Sequence, residues 1–333
     1  MSSAAHPQRD ATRRPLVAGA RSPALRVVEL ACRAPSVRNS QPWAWRVDGT
    51  TIELHADWDL LTSSTDPTGR QLLISCGAAL HHAQVAARGL GWRPVVSRWV
   101  DGAPDLSRRH ERLARLDLFP SEATPESAAD LTALLQRRTD RRRFTSWPVP
   151  EEHLRALCAS ARSRGSLALP IHDPVDRVRV GHLLSRARRL SRTDPPNPGS
   201  PVSWAGPVPT EDLSDGLVLL CSRADDPAAW TTVGESLGAL WLSAVRRGLA
   251  AVPLSGVVEV AETREGLRGS VLGDLALPQL LVRVGWQTIA AKGVPRSERR
   301  ALADVLLPRD VPGTASQDPA SGPSSHPTGH KVP

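Results

Sequence analysis

Two short segments of the 333-residue chain concentrate side chains that can bind a ligand. The first, APSVRNSQPW (34–43), places Ser36, Asn39, Ser40 and Gln41 between two prolines. Hydroxyl and amide groups both donate and accept hydrogen bonds, and the prolines restrict the backbone around them. Such a rigid polar loop suits a flat heteroaromatic ligand, because each mispaired buried polar group costs roughly 1–3 kcal/mol. Ordinary capping and turn chemistry is the alternative interpretation of the same composition.

The second segment, RRTDRRRF (137–144), sets five arginines against one aspartate. A guanidinium matches a phosphate with two parallel hydrogen bonds, so the segment favours a phosphate-bearing ligand. Thr139 can add a hydroxyl, and Asp140 can orient a neighbouring arginine. Taken alone, a charge run of this kind is more typical of a solvated basic turn.

The sequence contains none of the motifs GxGxxG, GxxxxGK[ST] or HExxH, which removes the main signals for three enzyme classes. The four cysteines are widely spaced, which predicts buried reduced thiols and no disulfide or zinc site. His81 and His82 are adjacent on a predicted helix and point about 100° apart, a poor geometry for chelating a metal. We expect one of the two to be buried and the other exposed, and we assign no metal site and no catalytic residue.

The net charge of +8 raises the question of a polyanion partner. Only Lys292 and Lys331 among the 42 basic residues are lysines, and the chain has no tyrosine. Arginine, alanine, proline, glycine and tryptophan have G/C-rich codons, so the charge in part reflects base composition. A nucleic-acid binder would rest on this weak indication alone, and we assign no nucleic-acid partner. The apolar runs are too short to cross a bilayer, and the N-terminal residues lack the apolar core of a signal peptide. These features predict a cytoplasmic protein with no membrane partner.

The hydrophobic periodicity predicts an α+β fold. Helices are expected at about 23–34, 70–88, 126–137, 150–164, 173–191 and 227–247. Strands are expected at 93–100, 216–221 and 278–286, and a hairpin should turn at Asp48-Gly49. Two long helices each end in Arg-Gly-Leu, which suggests an internal duplication with halves at 21–130 and 131–307. Residues 1–20 and 308–333 are predicted to be disordered, and the proline-rich excursion 191–216 with Trp204 has the character of a lid.

The two ligand-binding segments together resemble motifs of the nitroreductase superfamily. APSVRNSQPW resembles its flavin loop, and RRTDRRRF resembles its Arg-Arg-Ser-x-Arg-x-Phe phosphate segment. GLAAVPLSGVVE (248–259) is similar to the family's GL…P-x-E-G turn, and PRSERRALADVL (295–306) to its C-terminal arginine segment. Because the order of the first two is reversed in a double-length chain, it looks like the actinobacterial Acg-like branch, in which two nitroreductase-like halves are fused.

The resemblance implies a mixed or antiparallel sheet flanked by helices in each half, and one flavin mononucleotide (FMN) site between the halves. The implied FMN-binding residues are Pro35, Ser36, Val37, Arg38, Asn39, Gln41, Arg137, Arg138, Thr139, Arg141, Pro253, Leu254, Ser255, Gly256, Arg299 and Arg300. Three positions depart from the family pattern: Phe144 falls one place later, Ser255 replaces the usual glutamate, and Arg38 adds a charge to the loop. The chain is expected to act as a monomeric pseudo-dimer, and further pairing of fused chains stays open.

The implied activity is the reduction of nitroaromatic or quinone-like compounds by NAD(P)H through FMN, with small molecules as the partners. The alternative is a flavin-sequestering protein, in which the excursion covers the cofactor and turnover is low.

Overall fold

The computed structural model describes residues 22–62, 64–98, 109–191, 215–287 and 296–308. The predictions for 1–20, for Trp204 and nearly all of 191–216, and for 309–333 concern residues outside these ranges.

A four-stranded antiparallel sheet, in the order β1-β2-β4-β3, forms the centre of the first half. Asp48 and Thr51 pair at the end of the first hairpin, and Gly49 provides the left-handed conformation (φ 57°) that its turn requires. This confirms the predicted turn. The elements are α1 (Pro23–Ala31), β1 (Trp43–Asp48), β2 (Thr51–Asp57), α2 (Arg70–Gly89), β3 (Trp92–Arg98) and β4 (His110–Pro120).

The second half repeats this topology after the linking helix α3 (Pro125–Gln136), with a sheet in the order β5-β6-β8-β7. Two insertions, α5 and the α7–α8 pair, distinguish it from the first half. Its elements are α4 (Glu151–Arg162), β5 (Leu167–Pro170), α5 (Pro174–Ser191), β6 (Gly216–Ser222), α6 (Pro227–Arg246), β7 (Leu249–Leu254), α7 (Gly256–Glu259), α8 (Ala261–Ser270) and β8 (Leu277–Trp286), followed by α9 (Leu302–Val305).

Helices α2 and α6, each 20 residues long, pack on each other between the two sheets. Gly77 and Gly234 occupy the same position in their helices and bring the two backbones together. A Cβ on Gly77 would overlap the carbonyl oxygen of Thr231, and one on Gly234 would overlap that of Ile74. The close approach of the two halves therefore depends on the missing side chains.

One hydrophobic core runs through both halves and includes α1, α2, α4, α6 and the inner faces of both sheets. A second, smaller core lies on the outer face of the second sheet, beneath α5, α7 and α8. Strand β6 is consequently buried along its whole length, which explains the continuous apolar run GLVLLC. The α+β fold with two nitroreductase-like halves is confirmed.

The segment 296–308 returns to the first half after β8. Leu306 forms a parallel bridge with Trp45 on the open edge of β1, and the amide of Leu307 donates to the carbonyl of Trp45 at 2.7 Å.

Residue 130, the predicted end of the first half, falls inside α3, so the limits of the halves remain predictions. None of the described helices is long and apolar enough to cross a bilayer.

Candidate functional site

The loop that links α1 to β1 has an unusual backbone. Arg38, Asn39 and Gln41 have φ values of 49°, 59° and 52°, in the left-handed region that favours glycine. Each such residue costs on the order of 1–3 kcal/mol unless the surroundings hold it in place. The Ser36 hydroxyl does so from inside the loop, where it accepts a hydrogen bond from the amide of Gln41 at 3.0 Å. Strain of this kind is concentrated at functional sites.

Helix α2 anchors the same loop through residues that sequence reasoning did not single out. The amide of Val37 donates to the Ser75 hydroxyl at 3.1 Å, and that hydroxyl donates to the carbonyl of Gln71 at 2.7 Å. Gln71 and Ser75 lie on a helix that is buried on every side, so their spacing gave no signal in the sequence.

The C-terminal arginine segment holds the outer side of the loop. The side-chain amide of Asn39 donates to the carbonyl of Glu298 at 3.1 Å, and Arg299 donates to the Asn39 oxygen at 3.0 Å. The amide of Arg300 donates to the side-chain oxygen of Gln41 at 2.9 Å. The structure thus brings together two segments that the sequence predicted for one site.

Arginines from three segments meet beside this loop, and we call Arg33, Arg137, Arg138, Arg296 and Arg299 the arginine group. Arg137 and Arg299 both donate to the carbonyl of Arg33, at 2.7 and 3.2 Å. Arg138 and Arg296 both donate to the carbonyl of Leu135, at 3.1 and 3.4 Å. Arg137 also stacks on Trp241, 4.8 Å from the ring centre.

The arginine group carries more positive than negative charge, since Glu29 near Arg33 is the carboxylate that acts on it in the part of the chain that the structure describes. Burial, together with the nearby Arg299 and Arg138, lowers the pKa of the Arg137 guanidinium. Burial and Arg296 lower the pKa values of Arg33 and Arg138 in the same direction. Within the described ranges, carboxylates pair with other arginines, as Glu235 does with Arg98, and with none of these five. An anion bound here would relieve the repulsion.

A cleft of about 300 Å³ opens between the loop, α2 and the turn that follows β7. Its walls are mostly apolar, with a few hydroxyl and amide groups. They consist of Pro35, Ser36, Val37, Gln71, Ile74, Ser75, Leu237, Pro253, Ser255 and Leu280. The side-chain nitrogen of Gln71 is buried and has no hydrogen-bond partner, so it is a donor available to a ligand.

Some predicted site residues lie away from this cleft. Leu254 packs into the smaller core, because neighbouring strand residues point to opposite faces of a sheet. Gly256 begins α7, and neither it nor the exposed Arg141 lines the cleft. Phe144 packs closely on Gly285 and beneath Arg283, so the end of the arginine segment is bound to the second sheet. Thr139 lies 3.5 Å from a nitrogen of Arg137, within the arginine group's surroundings.

A second cavity, of about 320 Å³, lies on the other side of Val37 and Gln71, which line both spaces. Its walls are more polar: Val37, Arg38, Ser40, Leu60, Thr62, Thr65, Asp66, Gln71, Leu72 and Glu259. Arg38, the unusual charge of the loop, points into this cavity and donates to the Thr65 hydroxyl. Burial raises the pKa values of the Asp66 and Glu259 carboxyls.

The histidine prediction was half wrong, since both rings are buried, with exposed fractions of 2% for His81 and 0% for His82. Residues 70–87 of α2 are buried all round, because the helix lies between two sheets and against α6. Burial lowers both pKa values and keeps both rings neutral.

The four cysteines are buried and free, as predicted, and the described residues contain no cluster suited to a metal ion.

Two curated relatives identify the family. The Mycobacterium tuberculosis protein named "Putative NAD(P)H nitroreductase Rv3131" is 36% identical over 314 residues, covering 84% of this chain and 90% of that protein. The chain belongs to the nitroreductase superfamily. A second protein of that organism, "Putative NAD(P)H nitroreductase acg", is 30% identical over 321 residues, covering 84% of this chain and 93% of its own length.

The solved structures agree on the fold. The crystal structure of a "putative nitroreductase" from Anabaena variabilis matches with a TM-score of 0.53 at 9% identity, covering 80% of this chain and 88% of that chain. No family model matches the sequence. The nitroreductase chain is accordingly an oxidoreductase of the type found in these mycobacterial relatives, which confirms the predicted family and enzyme class.

Proposed function

We propose that this nitroreductase binds FMN between its halves and uses NAD(P)H to reduce nitroaromatic or quinone-like compounds. The observation that carries the proposal is the arginine group, whose excess positive charge lies directly beside the strained loop 34–41. A phosphate there would accept charge-assisted hydrogen bonds from several guanidinium groups.

The residues around the cleft fit a flavin ring. Ile74, Leu237 and Leu280 offer apolar walls for a flat aromatic system, and the unpaired nitrogen of Gln71 offers a donor for its polar edge. Ser36 and Ser75 are occupied in shaping the loop, so they would act by positioning backbone groups. Arg137 and Arg299 would hold the phosphate. Bound FMN would supply the hydride and electron transfer, which no side chain of the described site provides.

The test is the visible absorbance of the purified protein, followed by mixing with NADH or NADPH under anaerobic conditions. We expect a yellow protein whose flavin absorbance bleaches on mixing and returns when a quinone is added. A yellow protein that neither nicotinamide bleaches would indicate flavin sequestration. A colourless protein that gains no colour on incubation with FMN would refute the proposal.

A further inference from the structure

The walls of the cleft carry no ionisable side chain. Reduction of a quinone or nitro group by two electrons also consumes two protons, of which a hydride supplies one. The second proton has to reach the cleft through one of its polar walls. Ser255 is a wall residue that bears a hydroxyl and has an ionisable side chain, Glu259, one helical turn away.

Ser255 and Glu259 are one helical turn apart at α7. The amide of Glu259 donates to the carbonyl of Ser255 at 3.0 Å, and side chains four residues apart on a helix are neighbours on one face. Ser255 lines the cleft, whereas Glu259 lines the polar second cavity. The pair therefore connects the two spaces across the wall that separates them.

Burial raises the pKa of Glu259. Ser255, Arg38 and Arg70 act to lower it, and the nearby Asp66 acts with burial to raise it. On the helices that pack against α7, Arg186 pairs with Glu262 and Arg264 pairs with Asp225. Glu259 is therefore a carboxyl that can hold a proton at a higher pH than an exposed glutamate.

We propose that Glu259 and Ser255 form a proton relay that supplies reductions in the cleft from the second cavity. The inference rests on the proposed function and assigns the proton route that it requires. Ser255 is the group that contacts substrate, and Glu259 acts through it. Ser255 occupies the position where the family motif has a glutamate. The proposed relay connects this position to the Glu259 carboxyl, four residues later.

The acceptor receives a hydride equivalent that originates from the reduced nicotinamide, and one of its oxygens takes the Ser255 hydroxyl proton. The Ser255 oxygen takes the Glu259 carboxyl proton as its own O–H bond breaks. Glu259 is left as a carboxylate facing Arg38, and water in the second cavity returns its proton.

The competing role for Glu259 is that of an ionised partner for Arg38 and Arg70. The two roles differ in the charge of the carboxyl, which can be measured without any cofactor by isotope-edited infrared titration of the flavin-free protein. The relay predicts a carboxyl band that persists above the pH at which exposed glutamates ionise and disappears in Glu259→Gln. Titration of Glu259 below the ordinary glutamate range would overturn the relay.

The kinetic test uses the FMN-loaded protein and p-benzoquinone in single turnovers across pH. We expect the wild-type rate to fall as pH rises through the pKa of Glu259. Glu259→Gln should be slower by about a hundredfold and independent of pH, with KM little changed. Ser255→Ala should behave in the same way, and Ser255→Thr, which keeps a hydroxyl, should restore the rate and its pH dependence.

Glu262→Gln, an exposed glutamate on α8 that pairs with Arg186, is the matched control and should retain the wild-type profile. A yellow Glu259→Gln protein with the wild-type pH profile would refute the relay while leaving the proposed function intact. A wild-type protein that binds no FMN would refute both.

Discussion

Ser36 and Asn39 stabilise the left-handed loop from opposite sides. Ser36 is buried and satisfies the amide of Gln41, whereas Asn39 is exposed and bonds to Glu298 and Arg299. Neither side chain belongs to the large hydrophobic core, so their roles are confined to the loop and its contacts.

The double variant Ser36→Ala, Asn39→Ala should lose FMN while it stays folded. Loss of the Ser36 oxygen leaves a buried amide unpaired at about 1–3 kcal/mol, which weakens binding by roughly fivefold to more than a hundredfold. Absorbance after desalting measures the retained flavin, and circular dichroism checks the fold. Ser121→Ala, on the exposed surface, serves as the control. Stoichiometric FMN in the double variant would contradict the assignment of the loop.

At this scale the sequence identified the loop and the arginines but not every neighbour. The resemblance to the flavin loop and the arginine segments singled out Ser36, Asn39, Arg137 and Arg299, which the structure places around one loop; their contact with FMN stays a prediction. Gln71 and Ser75 could not be predicted, because α2 is buried on every side and its sequence shows no separate polar face that would draw attention to them. Leu254 shows the opposite error, a residue that was predicted for the site but lies outside it. Neighbouring residues of a strand point to opposite faces of the sheet, and a contiguous motif does not reveal which of them face the ligand.

Among the elements, α2 and α6 determine how closely the halves approach. Gly77→Ala or Gly234→Ala should destabilise the protein by about 3 kcal/mol or more, because the new methyl group meets backbone that cannot move aside. Gly181→Ala on α5 is the matched control, since a Cβ there meets nothing within 4 Å. It should stabilise the protein by roughly 0.5–1 kcal/mol through helix propensity. Urea unfolding of the three variants measures the differences, and equal effects would refute the close packing.

A polar network around Asp225 joins the start of α6 to α8 and β8. Burial alone would raise the pKa of Asp225, but hydrogen bonds from Arg264, Gln279 and Trp230 outweigh it and hold the pKa well below the usual range. A carboxyl whose pKa is lowered by folding adds stability above its unfolded pKa. That stability is lost as the pH falls towards the folded value.

Asp225→Asn should therefore cost about 1–2 kcal/mol at neutral pH, allowing for partial exposure of the carboxylate. The difference from wild type should shrink as the pH falls below about 4, where Asp225 would be protonated in the unfolded chain. Thermal unfolding at several pH values measures it. Asp130→Asn, which breaks an exposed pair with Arg246, is the control and should change little. A pH-independent difference would contradict the ionic role.

Helix ends were the most predictable feature among the elements. Asp226 and Pro227 start α6 as expected, and the Asp226 carboxylate accepts from the amide of Ala229 at 2.8 Å. Strand β4, the longest, was not predicted, because Arg112, Arg115 and Asp117 interrupt its apolar pattern. Their charges are satisfied across the sheet, by Glu53 and Thr51 among others, and this pairing is invisible before the fold is known.

At the scale of the whole molecule, the two halves share one sheet topology but differ in the loop that could bind a ligand. The first half has room for a ligand loop between α1 and β1, whereas residues 163–166 alone join α4 to β5 in the second half. We expect one FMN per chain, measured by native mass spectrometry, and none in a chain cut after residue 295. Two FMN molecules per chain would contradict the single site. Composition and motifs could predict two halves, but not that their sheets share one core.

The return of residues 296–308 to the edge of β1 has a consequence for how the enzyme is made. The contact between Asn39 and Glu298 spans 259 residues, so the loop is synthesised long before its partners. A ribosome delivers the first half of the chain well before Arg299 and Arg300 emerge. In the proposed function, cofactor capture would therefore be a late event in maturation, and incompletely translated chains would leave the cellular flavin pool untouched.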